Sequence, residues 1–327
     1  MSAVGSATAR ASHLYERVKR VIPPAEWGLL ADDVEAIQHL KIERNAVILA
    51  HNYQTPEIYH CVADIVGDSL TLAREAATTD ADVIVLAGVY FMAETAKLLN
   101  PEKTVLIPDP GAGCSLADSI TPAGVRQMRI ANPDLPVIAY VNTSAAVKAE
   151  VDICCTSGNA RKVVQSFGVP RVIMLPDQYL AENVAAETGV EIVSWPGSCE
   201  VHERFTAADV AELRESHPGV AVLVHPECPR EVVQAADFSG STAAMADYVG
   251  EKRPPSVVLL TECSMSDNIS LQYPDLDFVR PCNLCPHMKK ITIANIRRAL
   301  EENLHVVEIE PGIATRARVA VERMLAL

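Results

Sequence analysis

Cys114, Cys199 and Cys285 stand 85 and 86 residues apart, and each lies just past an apolar run, behind a proline and a tight turn. The settings read Pro-Asp-Pro-Gly-Ala-Gly-Cys114, Trp-Pro-Gly-Ser-Cys199 and Arg-Pro-Cys-Asn-Leu-Cys285. Near-equal spacing in one recurring setting reads as a single unit used three times, each copy delivering one thiolate. Three converging thiolates can hold a zinc ion with an open fourth position. They can equally hold an iron–sulfur cluster in which one iron lacks a protein ligand. Such an open corner acts as a Lewis acid on a substrate oxygen or nitrogen. A radical-type iron–sulfur enzyme would carry a compact Cys-x3-Cys-x2-Cys run, and the sequence has none.

The chain has nine cysteines. Cys61, Cys154, Cys155, Cys228 and Cys263 read as small buried hydrophobes, the usual fate of an isolated cysteine. Cys282 and Cys285 form a Cys-x-x-Cys pair, so a thiol–disulfide couple or a zinc knuckle competes with the ligand reading at that end. An odd count in a chain of 327 residues does not suit a secreted disulfide framework. It suits a reducing cytoplasm.

The other chemistry-bearing side chains stand where apolar runs end. These are His51, Asn52 and Tyr53, then Tyr140 and Asn142, then His225 and Glu227. In open parallel sheets, ligands bind beyond the carboxyl ends of the strands. Alone, His51 or His225 would be a satisfied core histidine and Tyr53 or Tyr140 a packing aromatic. At matching places in a repeat they point to one site. Glu227 is the candidate base, a carboxylate between His225 and Cys228 whose burial would raise its pKa; the blander role is a helix N-terminal charge. Ser69, Ser157 and Ser241-Thr242 sit in turns that open helices, where they serve as N-caps and can also bind carboxylate or phosphate.

These residues need elements to carry them. Asn45–His51, 82–87 and 103–108 read as buried strands of a first unit, with helices from about Pro56, over 69–77 and over 92–99. A helix around 32–40 precedes them. The helix opened by Thr121-Pro-Ala-Gly recurs at Thr206-Ala-Ala-Asp and at Thr292-Ile-Ala-Asn, an internal repeat independent of the cysteines. Strands alternating with helices imply parallel sheets with right-handed crossovers. The expected fold is α/β, with three similar domains about a pseudo-threefold axis and the site at their centre. The division is 1–115 with a polar lead-in, 116–200, 201–287, and an extension at 288–327 that completes or braces the repeats. That extension holds a helix, a strand at His305–Ile309 and a last helix from about Thr315.

A net charge of −14 argues against a nucleic-acid partner, which needs a basic face. It leaves small anions open, because helix N-termini bind them without net positive charge. No apolar run of about 18 residues is long enough to span a membrane, and Met1–Arg20 has no apolar core of a secretory signal.

As a set, His51-Asn-Tyr, Gly67-Asp-Ser69, Tyr140-Val-Asn142, Cys155-Thr-Ser-Gly-Asn-Ala160, Trp195-Pro-Gly-Ser-Cys199-Glu-Val-His202, His225-Pro-Glu-Cys228, Gly240-Ser-Thr242 and Cys285-Pro-His-Met-Lys-Lys290 resemble the quinolinate synthase family. The resemblance runs from about residue 35 to 327. It implies a 4Fe-4S cluster held by Cys114, Cys199 and Cys285, with one iron open to substrate. It implies condensation of iminoaspartate with dihydroxyacetone phosphate to quinolinate, with release of phosphate and water, in NAD biosynthesis. A functional hand-off from an iminoaspartate-producing enzyme goes with that chemistry. His51, Ser69, Tyr140, Asn142, Ser157, His225, Glu227 and Thr242 match the substrate-binding set. Tyr53 and Glu227 match the proton-transfer residues, with His51, Tyr140 and His225 beside them. Some members carry Cys-x2-Cys-x2-Cys where this chain has only Cys282 and Cys285, and Cys285 is taken as the ligand because Pro-His-Met-Lys-Lys follows it. The readings of other classes are a zinc-dependent hydrolase or lyase on the same trio, and a non-catalytic redox or iron sensor.

Overall fold

The structure, a computed structural model, describes residues 13–327. Residues 1–12, the start of the lead-in, lie outside the described residues. Three four-stranded parallel sheets organise the rest. The first holds β1 (Ala46–His51), β2 (Ile65–Gly67), β3 (Val83–Ala87) and β4 (Thr104–Leu106). The second holds β5 (Val137–Tyr140), β6 (Ile153–Cys155), β7 (Arg171–Leu175) and β8 (Glu191–Ser194). The third holds β9 (Ala221–Val224), β10 (Phe238–Ser239), β11 (Ser256–Leu260) and β12 (Asp277–Val279). In each, the first strand lies between the second and third, and the fourth forms an edge. The central strands are apolar runs because helices cover both faces; all five residues of β3 are buried. The fold is thus α/β, with three similar units.

One polar clasp marks the repeat. The carboxylates of Asp64, Asp152 and Asp237 accept the amide N–H of Ile48, Val137 and Val222 at 2.8, 2.7 and 2.8 Å. The same carboxylates pair with Lys41, Arg129 and Arg214 at 2.6, 3.0 and 3.0 Å. In every unit a helix-borne cation therefore holds the aspartate that stands just before the second strand and clasps an amide near the start of the first. The recurring threonines act as expected. Thr121, Thr206 and Thr292 accept the N–H three residues on at 3.2 Å each, which satisfies otherwise orphaned donors.

The extension braces the other units. The helix Ile293–Glu302 packs on the helix Pro24–Glu43, while the helix Pro311–Leu325 packs on Ala145–Lys148, Tyr90–Leu99 and β6. One apolar core runs through all three units.

Four details differ from the sequence reading. The helix placed around 32–40 runs from Pro24 to Glu43, with Pro24 at its first turn. The helix expected from Pro56 does start there but is short and π-helical over Ile58–Val62, closed by Ala63 N–H on the Ile58 carbonyl at 3.0 Å. The strand expected at His305–Ile309 is one antiparallel bridge, Val306 to Leu106; His305 at φ +60° breaks the extended path, and Pro311 starts the next helix. Cys263 is not a free buried thiol but is bridged to Cys282. Cys282 therefore does not pair with Cys285, which stays free.

Candidate active site

The carboxyl ends of the three sheets face one cavity. β1 ends at His51 and β5 at Tyr140, and His225 follows β9 directly. Their side chains line the cavity together with Tyr53, Asn142 and Glu227. Cys114, Cys199 and Cys285 come from the loops after β4, β8 and β12, and line it too. The remaining wall comes from helix-opening turns, with Ser69, Ser157 and Thr242. Twelve of the residues singled out from the sequence thus share one cavity, while Asn52 and Ser241 are not among its lining.

Of the cap residues the sequence suggested, Ser241 caps its helix and Ser69, Ser157 and Thr242 do not. Asp68 and Ser241 are the N-caps, accepting Thr71 N–H at 2.9 Å and Ala244 N–H at 3.3 Å. Ser69 and Thr242 are the first helical residues, so their hydroxyls are left to the cavity. Thr242 accepts a hydrogen bond from Asn52 of the first unit at 2.9 Å. A Cβ on Gly158 would lie 3.5 Å from Ser241 Oγ and 3.7 Å from Asp68 Oδ2. The equivalent turns of all three units therefore meet within contact distance.

Opposite them runs a buried hydrogen-bond chain. Tyr53 OH lies 2.5 Å from Thr261 Oγ1, and Thr261 Oγ1 lies 2.9 Å from His202 Nε2. His202 Nδ1 lies 2.6 Å from Glu227 Oε2. The Glu227 carboxylate places the imidazole proton on Nδ1. Nε2 is then the acceptor for Thr261, whose oxygen accepts from Tyr53. Tyr140 also donates to Glu227. The chain has the logic of a carboxylate–imidazole–hydroxyl triad, with Tyr53 at its end.

Glu227 departs from expectation. Burial does push its pKa up, but the electrostatic coupling of its negative charge to the His225 and His202 imidazoles and the hydrogen bonds from His202 and Tyr140 outweigh it. Its carboxyl is held below the usual range and is ionised, so it orients and stabilises rather than donating a proton. Burial lowers His51 to about 4 and His225 to about 3, so both are neutral near pH 7. Burial, reinforced by Glu227, raises Tyr53 and Tyr140 well above 10.0, so both keep their protons until a base takes them.

Burial likewise pushes the Cys114 thiol up to about 12, with Glu227 and Cys285 contributing after a helical N–H that lowers it. Cys199 and Cys285 are raised by burial as well. Three free thiols at one cavity, each unfavourable as a bare thiolate, fit a polycationic centre that would neutralise them. Cys199, His202 and Glu227 also bring three donor atoms within 4.8 Å of one another. The 2.6 Å contact of His202 with Glu227 is a hydrogen bond that an ion between them would break, so the cysteine trio is the better metal-holding set.

Two members of the chain escaped the sequence reading. His202 follows Cys199 by three residues, one turn along, and is 1% exposed. Thr261 directly follows β11. The strand-end rule applied to every strand, rather than to the leading one of each unit, points to Thr261.

Residues 35–326 match the family described as Quinolinate synthetase A protein. The chain is 73% identical over 317 residues to "Quinolinate synthase 2" of Mesorhizobium japonicum, covering 97% of this chain and 98% of that one. It is 73% identical over 315 residues to a quinolinate synthase of Agrobacterium fabrum, covering 96% and 91%. Identity is 54% over 323 residues to that of Caulobacter vibrioides, covering 98% and 88%. With the fold, the cavity and its cysteines in agreement, the chain belongs to the quinolinate synthase family.

Proposed function

We infer that the chain is a transferase that condenses iminoaspartate with dihydroxyacetone phosphate to quinolinate, releasing phosphate and water, in the cytoplasm. The observation that carries this reading is one cavity shared by three repeat-related cysteines and the buried Tyr53–Thr261–His202–Glu227 chain. Cys114, Cys199 and Cys285 would hold a 4Fe-4S cluster, which supplies a Lewis-acid corner when bound.

The chain's own residues do the rest. Ser69, Ser157 and Thr242, at or beside helix starts, hold the carboxylates and phosphate with hydroxyls and backbone N–H groups. Asn142 and neutral His51 and His225 orient the substrates. Tyr53 OH exchanges a proton with substrate. Its proton passes through Thr261 to His202 Nε2, and the Glu227 carboxylate stabilises the imidazolium. The reverse path returns a proton to a departing hydroxyl. Enclosure excludes water from an imine that water would hydrolyse, so an enzyme releasing iminoaspartate nearby is the fitting supplier.

Anaerobic purification tests this directly. Brown protein with about four iron and four sulfide per chain is expected, along with quinolinate from the two substrates by mass spectrometry. Cys199→Ala loses colour and product. Colourless wild-type protein holding stoichiometric zinc would refute the reading.

A further inference from the structure

In every unit, the turn after the third strand holds the cysteine loop at the residue two before the cysteine. Tyr90 N–H donates to the Ala112 carbonyl at 2.7 Å, and Gln178 N–H to the Gly197 carbonyl at 2.9 Å. In the third unit, Glu262 bridges to Asn283. The residues at these turns are Val89, Asp177 and Glu262, at matching repeat positions. Asp177 serves its own helix, accepting Leu180 N–H at 2.9 Å.

Glu262 is longer by one methylene and does more. It is fully buried and accepts Ser264 N–H at 2.9 Å. Its carboxyl also faces the amide N–H of Cys285, which draws its pKa down against burial. Its charge is met by Lys289 at 2.9 Å, one helical turn beyond Cys285. Lys289 Nζ also donates to the Tyr53 carbonyl at 2.9 Å and to Ser264 Oγ at 2.5 Å. Glu262 directly follows Thr261, the middle hydroxyl of the proton chain. The pair thus touches both the third cysteine and the Tyr53 end of the chain, and neither Val89 nor Asp177 has a partner of this kind.

We propose that Glu262 and Lys289 are positioning residues: their ion pair, with Glu262 buried and Lys289 partly exposed, seats the Cys285 loop against Tyr53 and Thr261, so one contact sets both the third thiolate and the proton chain. Removing Lys289 leaves the Glu262 charge buried and unpaired, whereas neutralising both is milder. What Cys285 holds rests on the function proposed above; the clamp itself does not.

Alkylation of the metal-free protein by iodoacetamide, followed by peptide mass spectrometry, reads the clamp without any cluster. In Lys289→Met, Cys285 is expected to react about tenfold faster than in wild type, with Cys114 unchanged, because local opening governs access. After anaerobic reconstitution, kcat falls at least about tenfold while KM for both substrates stays within about twofold, as for a lost transition-state geometry. If Lys289→Met does not fold, the Glu262→Gln/Lys289→Gln double variant makes the same measurement with both charges gone. Wild-type alkylation of Cys285 in either folded variant, or an unchanged kcat after reconstitution, overturns the proposal. Faster alkylation in a protein that takes up no iron leaves the clamp standing and refutes the proposed function instead.

Discussion

At the scale of the residue, Glu227 is ionised although fully enclosed, and in the proposed mechanism its charge stabilises a protonated His202. Three polar side chains, His225, His202 and Tyr140, converge on one carboxylate, and together they outweigh the burial penalty. Glu227→Gln keeps the shape but can no longer stabilise a protonated His202. We expect kcat to fall about 10²–10⁴-fold, with iron content unchanged by anaerobic iron assay. Thr261 is tested separately, because Tyr53 OH also lies 3.4 Å from His202 Nε2. Thr261→Val removes the 2.5 Å and 2.9 Å links and is expected to lower kcat about as much as Tyr53→Phe. Residues acting as one unit are non-additive, so the double variant should be little worse than either single one. Wild-type kcat in Thr261→Val would route the proton directly from Tyr53 to His202.

At the scale of the element, the threefold Asp clasp holds each central strand to the helix before it. Asp152→Ala leaves Val137 N–H without its partner and Arg129 without its ion pair. We expect about 2 kcal/mol lost in urea unfolding, most of it from the stranded amide. Arg129→Met should lose less, since both charged groups are about a third exposed, at 36% and 37%, and solvent screens them. Equal losses for the two would make the ion pair, not the amide contact, the main term. The clasp also explains why Arg129 and Arg214 repeat at matching positions in the sequence: each is bonded to its own unit's aspartate.

At the scale of the whole molecule, neutral histidines buried between the units make stability depend on pH. An unfolded histidine titrates near 6.5, while His51 titrates at about 4 and His225 at about 3 in the fold. Between these values the unfolded chain binds more protons, so stability rises with pH through that window. It is fully present above pH 6.5 and is lost as pH falls towards 4. His51 alone accounts for about 2 kcal/mol between pH 7 and pH 5. The urea midpoint should fall over that range and fall less in His51→Gln. An equal fall in both proteins would assign the dependence to other groups.

Much was legible in the chain itself. Apolar runs of strand length, threonine-started helices and the spacing of Cys114, Cys199 and Cys285 identified an α/β protein built three times over. Those features are local or periodic, so they leave a trace at fixed offsets. Cavity membership of the twelve candidates followed from the rule that ligands sit at strand exits. What sequence alone left open depends on contacts between distant residues. The partner of Cys282 is Cys263, 19 residues away, rather than the cysteine three residues along. The direction of the Glu227 pKa turned on His225, its near neighbour, and also on His202 and Tyr140, far from it in the chain. Thr261 lies in no motif, and His202 and Lys289 lie in motifs that say nothing of their partners. Their roles arise only when the third unit folds against the first, because a hydrogen bond is defined by distance in space and not along the chain.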